Sequence, residues 1–180
     1  MESLIKFYRE INKIKNIKRN GWERIGIVNA KDTIASHSFG ATLISWVLSK
    51  RANLNENKLI KLLLIHDLIM AHVNDTTPAD KEHSSKRENE NIAFEKLSEN
   101  IPPEIKEEFR LLFHEYQKEE TEEAILAREC DKLDTLLQSL MYSEELGKNK
   151  LSEFISSYEN KFKSKTGKKI FEDLKKIKIN

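Results

Sequence analysis

Apolar residues recur at intervals of three and four along most of this chain, the spacing that gathers them on one face of a helix. Leu4, Phe7, Ile11 and Ile14 mark a first helix over about 2–18. The following stretch, RNGWERIGIVNA, has two glycines and no sustained period, and reads as a loop. Asp32 or Thr33 can cap a second helix that runs to about Lys50 with a stripe of Ile34, His37, Ala41, Ile44 and Leu48. A third, from Asn55 to about His72, aligns Leu59, Leu62, Leu63, His66, Met70 and Val73. The NDTTP stretch ends that pattern, because a residue before proline avoids the helical region. Residues 78–99 read as a polar helix packing through Ile92, Phe94 and Leu97. A fifth helix opens at Pro102–Pro103 and carries Phe109, Leu112, Phe113 and Tyr116. Thr121, followed by acidic residues, starts a long helix to about Leu146, and one or two shorter helices finish the chain. The pattern predicts an all-α, compact helical bundle.

Composition narrows this picture. The 180 residues suit one domain spanning 1–180, and five Gly and three Pro are too few for a many-stranded β fold. A hydrophobic fraction of 38% beside a charged fraction of 34% fits a helical protein with solvated outer faces. The lone Cys130 excludes an intrachain disulfide and a multi-cysteine zinc site, and points to a reducing cytoplasm. No apolar run approaches the roughly 18 residues that span a bilayer, and MESLIKFYREINK lacks a secretory signal pattern. A net charge of +1 makes no general case for nucleic acid or membranes as partners. Residues 161–180 do carry eight lysines, which could bind phosphate or simply solvate a helix. The stripe of Phe162, Ile170, Leu174 and Ile177 favours the solvated helix.

His66–Asp67 is the feature that lifts the chain above an anonymous bundle. His66 lies on an apolar stripe, and an aspartate beside a core-facing histidine is costly unless something compensates its charge. A divalent cation does so, accepting both imidazole nitrogen and carboxylate oxygen. His37 occupies the stripe of the preceding helix, and Asp131 falls among the small residues Ala124, Ala127 and Thr135 of the long late helix. Three helices thus direct ligand types inward, the usual way a bundle builds a metal site. Two histidines and two aspartates leave positions open for water and substrate on an octahedral metal.

The order H…HD…D resembles the HD superfamily of metal-dependent phosphohydrolases, and within it the 5′-deoxynucleotidases. The matching pieces are RNGW (19–22), ASHS (35–38), LIHDL (64–68), the ND-T-TP stretch (74–78), FHEYQKEETEEA (113–124) and ECDKLDTLLQSLMYSEE (129–145). They cover most of residues 4–145, leaving a lysine-rich helical extension over 150–180 outside the resemblance. The resemblance implies an HD-domain bundle that hydrolyses nucleoside 5′-monophosphates, works as a homodimer, and holds one divalent transition metal (Mn, Co, Ni, Zn or Fe). It implies His37, His66, Asp67 and Asp131 as metal ligands, with Asp67 and Asp75 serving catalysis. Arg19, Trp22 and Arg24 match the segment that contacts phosphate and base or sugar, and Glu115 and Tyr116 also fit the pattern.

Two departures stand out. The family motif reads HD-x-x-E, and here Met70 occupies the glutamate position. A thioether cannot move a proton, and positioned acid–base groups contribute about 10²- to 10⁴-fold in rate. Asn74 stands where glycine is usual, in a turn that asparagine tolerates. The Met70 change keeps two alternatives open: hydrolysis of another phosphate ester, or a protein that binds metal and nucleotide in a regulatory or scaffold role. On regular helical geometry Met70 points at the site, and His72 lies about 140° around from Asp67.

Overall fold

Side-chain caps set where the central helices begin. Thr33 accepts from the Ser36 amide at 3.1 Å while Ser36 accepts from the Thr33 amide at 2.8 Å, a closed capping box. Asn55, Thr121 and Ser164 each accept from the amide three residues on, at 3.1, 3.1 and 2.8 Å. The computed structural model describes residues 1–73 and 83–177, and among them every regular element is helical. In order these are α1 (Glu2–Ile14), α2 (Gly21–Arg24), α3 (Ile34–Ala52), α4 (Glu56–Ile65), a 3-10 segment (Leu68–Ala71) and α5 (His83–Ser98). Then follow α6 (Pro103–Lys118), α7 (Glu122–Met141), α8 (Ser143–Ser156) and α9 (Lys165–Lys175).

Helix α3 is the central element, packed against α4 and α7. Its inner face is small and hydroxylic: Ser38, Thr42, Ser45 and Ser49 are buried among Ile34, His37, Ala41 and Leu48. Each hydroxyl donates to a carbonyl three or four residues back, at 2.7–2.9 Å, so none is buried unsatisfied. Small side chains let the neighbouring helices approach closely. The bulky residues of α3, Phe39, Leu43, Trp46 and Val47, lie on its exposed face instead. One apolar cluster joins Ala41, Leu59, Leu62, Leu133, Leu136, Leu151 and the Phe162 and Phe171 rings. A second gathers Ile14, Ile34, Leu68, Ile69, Phe94, Phe109 and Phe113 around α1, α5 and α6.

Several element boundaries differ from those expected. The 19–32 segment is not featureless: it contains α2, and its flanks are joined by Arg19 N–H to Asp32 C=O (3.1 Å) and Ile34 N–H to Ile17 C=O (2.9 Å). Trp22 and Ile27 are buried there, which no helical period could reveal. The first helix stops at Ile14, with Leu4 exposed and Glu10 buried in its place. The third stops at Ile65, ahead of the His–Asp pair, and resumes as the 3-10 segment. The long late helix ends at Met141, and α8 begins two residues later, with a kink at Gly147 where φ is +72°. Ile92 and Ile177 face out, and Ala93 and Phe171 take their places inside. Asn74 and Asp75 lie outside the described residues.

Candidate metal centre

His37 and His66 come together from α3 and from the joint after α4, both buried, with ring centroids 5.4 Å apart. One ligand atom each from His37, His66 and Asp67 lies within 4.8 Å of the others. Asp131, from α7, stands beside them, its Oδ1 3.1 Å from His37 Nε2.

The two imidazoles are oriented differently. His37 Nδ1 meets the Asp134 carboxylate at 2.6 Å, which turns Nε2 toward the cluster. Asp134 has room because residue 40 is glycine; a Cβ there would sit 2.1 Å from Asp134 Oδ1. His66 Nδ1–H instead donates to the Leu63 carbonyl at 2.8 Å. In a continuing α-helix that carbonyl would accept from the amide of residue 67, so the break in the helix and the orientation of the ring share one cause. The bond fixes the tautomer and leaves the Nε2 lone pair facing the cluster.

His66 Nε2 is buried and makes no hydrogen bond. A buried lone pair without a donor, beside a second imidazole and two carboxylates, is the chemistry a divalent transition metal satisfies. Without a cation the charge is met by a proton. Burial disfavours protonation of His37, but hydrogen bonds with Asp131 and Asp134 outweigh it and raise the imidazole to about 9. Burial likewise raises Asp131, and its contact with His37 reverses that and holds the carboxyl well below the usual carboxylate range. Tyr116, pushed far up by burial and by the Asp131 charge, stays a neutral phenol and donates to Asp131 Oδ2 at 3.3 Å. Its ring carries the Arg128 guanidinium 4.3 Å from the centroid.

A cavity of about 350 Å³ opens over His66, Asp67 and Asp131. Part of its wall is apolar, with Ile69, Met70, Val73 and Phe113; part is cationic, with Arg19, Arg128, Lys132 and Lys161. Met70 therefore faces the site, as helical spacing predicted, although the backbone there is 3-10. His72 turns away from it, its Nε2 2.8 Å from the buried Glu10 carboxylate of α1. Of the three residues expected near substrate, only Arg19 lines the cavity, its Nη2 donating to Thr135 at 3.1 Å. Trp22 is buried away from it, donating to Asp32 at 2.9 Å with its ring 5.2 Å from Tyr142. Arg24 is exposed. Glu115 pairs with Lys58 at 2.6 Å, a contact between α6 and α4.

Sequence reasoning missed Asp134, Tyr158 and Lys132, and preferred a solvated helix to phosphate binding for the stretch that begins with Lys161. Asp134 had a usable signal: it stands one helical turn beyond Asp131 and so shares its face. Tyr158 had none, since nothing local shows that the α8–α9 connection reaches the cavity; Lys161 belonged to the lysine-rich 161–180 stretch, whose apolar stripe favoured a solvated helix.

Comparison with known proteins agrees with this geometry. The HD domain family model matches residues 11–178, through the lysine-rich C-terminal part. The 5′-deoxynucleotidase HDDC2 of Xenopus laevis is 30% identical over 164 residues, covering 90% of this chain and 81% of that one. The protein of the same name from Dictyostelium discoideum is 29% identical over 174 residues, covering 90% and 91%. Among solved structures, a Pyrococcus horikoshii protein superposes with a TM-score of 0.77 at 31% identity, over 97% of this chain and 99% of its own. A metal-dependent phosphohydrolase so described from Magnetospirillum magnetotacticum shares the fold at TM-score 0.74 and 24% identity, over 96% and 89%. With the matched segment running almost the length of the chain, and His37, His66, Asp67 and Asp131 gathered in one cluster, this protein belongs to the HD domain family.

Proposed function

We propose that this chain is a metal-dependent 5′-nucleotidase that releases phosphate from deoxynucleoside 5′-monophosphates. The observation that carries the reading is the unsatisfied His66 Nε2 beside His37, Asp67 and Asp131, beneath a cavity large enough for a mononucleotide. The 5′-deoxynucleotidase relatives, similar along most of their length, support the substrate class.

His37, His66, Asp67 and Asp131 would hold the cation. A divalent metal there supplies Lewis acidity and positive charge for a phosphoryl centre. The chain's own groups do the rest. Asp134 and the Leu63 carbonyl orient the two imidazoles, and Tyr116 holds one Asp131 oxygen. Asp67 borders the cavity and can take a proton from an attacking water, with Asp75 as the second carboxylate assigned to this work. Arg19 brings a guanidinium to the phosphate, and Ile69, Met70, Val73 and Phe113 offer an apolar surface to the nucleoside.

We further place the whole chain in one domain, in the cytoplasm, as a homodimer. The support for a dimer is the exposed face of α3, where Phe39 (66%), Trp46 (50%) and Val47 (53%) stand together. No helix among the described residues is long and apolar enough to cross a membrane.

Phosphate release from a panel of deoxynucleoside monophosphates tests the reading, with protein stripped of metal and reloaded with Mn²⁺, Co²⁺ or Zn²⁺. Metal-dependent turnover that Asp67→Ala abolishes is expected. Silence of the native chain together with activity of Met70→Glu would replace this reading with a metal-binding regulatory protein, the second reading that Met70 on the cavity wall favours.

A further inference from the structure

Three of the C-terminal lysines of this chain are matched to carboxylates. Lys163 pairs with Glu119 at 3.1 Å, Lys175 with Glu159 and Glu172 at 3.1 and 2.7 Å, and Lys176 with Asp173 at 3.1 Å. Lys161 differs from the other described C-terminal lysines in its place. It lies on the cavity wall with its ammonium 4.9 Å from the Tyr158 ring centroid, and it pairs with no carboxylate among the described residues. Lys132, on the same wall, uses one of its three donors on the Arg128 carbonyl at 3.1 Å and likewise meets no carboxylate there.

The turn that carries Lys161 is held firmly. Asn160 adopts the left-handed conformation (φ +65°), and the Lys161 amide donates to the Tyr158 carbonyl at 3.0 Å. Phe162 is buried and stacked on Phe171 with centroids 4.9 Å apart. Glu129, buried on α7, accepts from the amides of Lys163 and Ser164 at 2.5 and 2.7 Å and from the Ser164 hydroxyl. Gly167 leaves room for that carboxylate, since a Cβ there would come within 2.3 Å of Glu129 Oε2. A buried carboxylate on three donors fixes the turn to the helix that also bears Asp131 and Lys132. Two cations from distant parts of the chain are thereby presented to one cavity, neither in ion-pair contact with a carboxylate among the described residues.

We propose that Lys132 and Lys161 form an anion subsite that grips the phosphoryl group of the substrate, with Glu129 as the residue that positions Lys161. The assignment rests on the phosphohydrolase reading of the cavity and deepens it: specificity for a phosphate ester comes partly from α7 and the α8–α9 turn, outside the HD motif. Lys132 and Lys161 supply charge-assisted hydrogen bonds to non-bridging oxygens, contacts that also hold inorganic phosphate as product.

The test uses the metal-loaded full chain, with Lys132→Met, Lys161→Met, Lys161→Arg, Glu129→Gln and, as a control, Lys176→Met. The readouts are KM and kcat for a deoxynucleoside 5′-monophosphate, the dissociation constant of inorganic phosphate by calorimetry, and the thermal midpoint of each variant. Each Lys→Met change at the subsite is expected to weaken phosphate and raise KM about tenfold or more, with Lys161→Arg restoring most of the loss. Glu129→Gln is expected to weaken phosphate in the native background and to add little on top of Lys161→Met. Phosphate affinity unchanged in both lysine variants overturns the subsite. So does an effect confined to a nucleoside 3′,5′-bisphosphate, which would assign the lysines to a second phosphoryl group. Lysine-dependent phosphate binding in a protein that turns over no monophosphate would sink the nucleotidase reading while leaving the subsite in place.

Discussion

The two histidines of the centre solve one problem in opposite ways. His37 sits within the regular helix α3 and is aimed by a side chain from another helix, the Asp134 carboxylate. His66 sits where a helix stops and is aimed by its own backbone, the Leu63 carbonyl. A carboxylate behind an imidazole makes the ring more basic and a stronger ligand, but the arrangement depends on two helices keeping their spacing. A backbone carbonyl is a weaker partner that cannot be lost by substituting its own side chain. The difference teaches where the site is vulnerable. The α3 side depends on side chains, and the α4 side depends on a break in the backbone.

The largest effect should come from the α3 side. Asp134→Asn keeps the shape but removes the charge behind His37, and metal affinity measured by calorimetry is expected to fall about 10- to 100-fold. Gly40→Ala should weaken the metal in the same direction, because its Cβ would occupy the space of Asp134 Oδ1. Affinity unchanged in both variants would mean that His37 is held by its position on the helix alone.

The contrast also explains what the sequence made legible. Apolar spacing marked α3, α4, α6 and α7, and the inward stripes put His37, His66 and Asp131 on faces that the structure does gather in one cluster. What stayed hidden was long-range or irregular. The α4 helix ends at Ile65 because a side-chain bond to Leu63 competes with the backbone ladder, and hydrophobic period carries no trace of that competition. Ile44 was expected inside α3 and is only half-buried, because its inner face is built from hydroxylic residues that satisfy themselves locally. Glu10 and Glu129, both buried carboxylates, read in the sequence as ordinary members of a solvated charge pattern.

The α4 side yields the next effect. After Asp67 the 3-10 segment is packed against α1, and its end is tied by His72 to Glu10. Glu10 also accepts from Asn100 at 2.9 Å and from Lys13 at 2.8 Å, so an amide there removes the buried anion that these donors share. Glu10→Gln is expected to destabilise the fold by about 1–3 kcal/mol, several degrees in Tm. If the tie also sets the register of Asp67, metal affinity drops as well; a loss of Tm with affinity unchanged would confine Glu10 to the scaffold.

The smallest effect returns to α3 and separates positioning from folding. Thr33 caps the helix that carries His37 four residues later, but it touches neither the ring nor Asp134. Thr33→Ala removes one closing bond of the capping box and should cost about 1 kcal/mol in chemical denaturation. Metal affinity should stay within a factor of two, because His37 is aimed from α7 and an end that frays by one turn leaves Asp134 in place. A larger loss of metal would show that the start of α3, and not Asp134, sets the direction of His37, and the division between a side-chain-aimed and a backbone-aimed histidine would no longer hold.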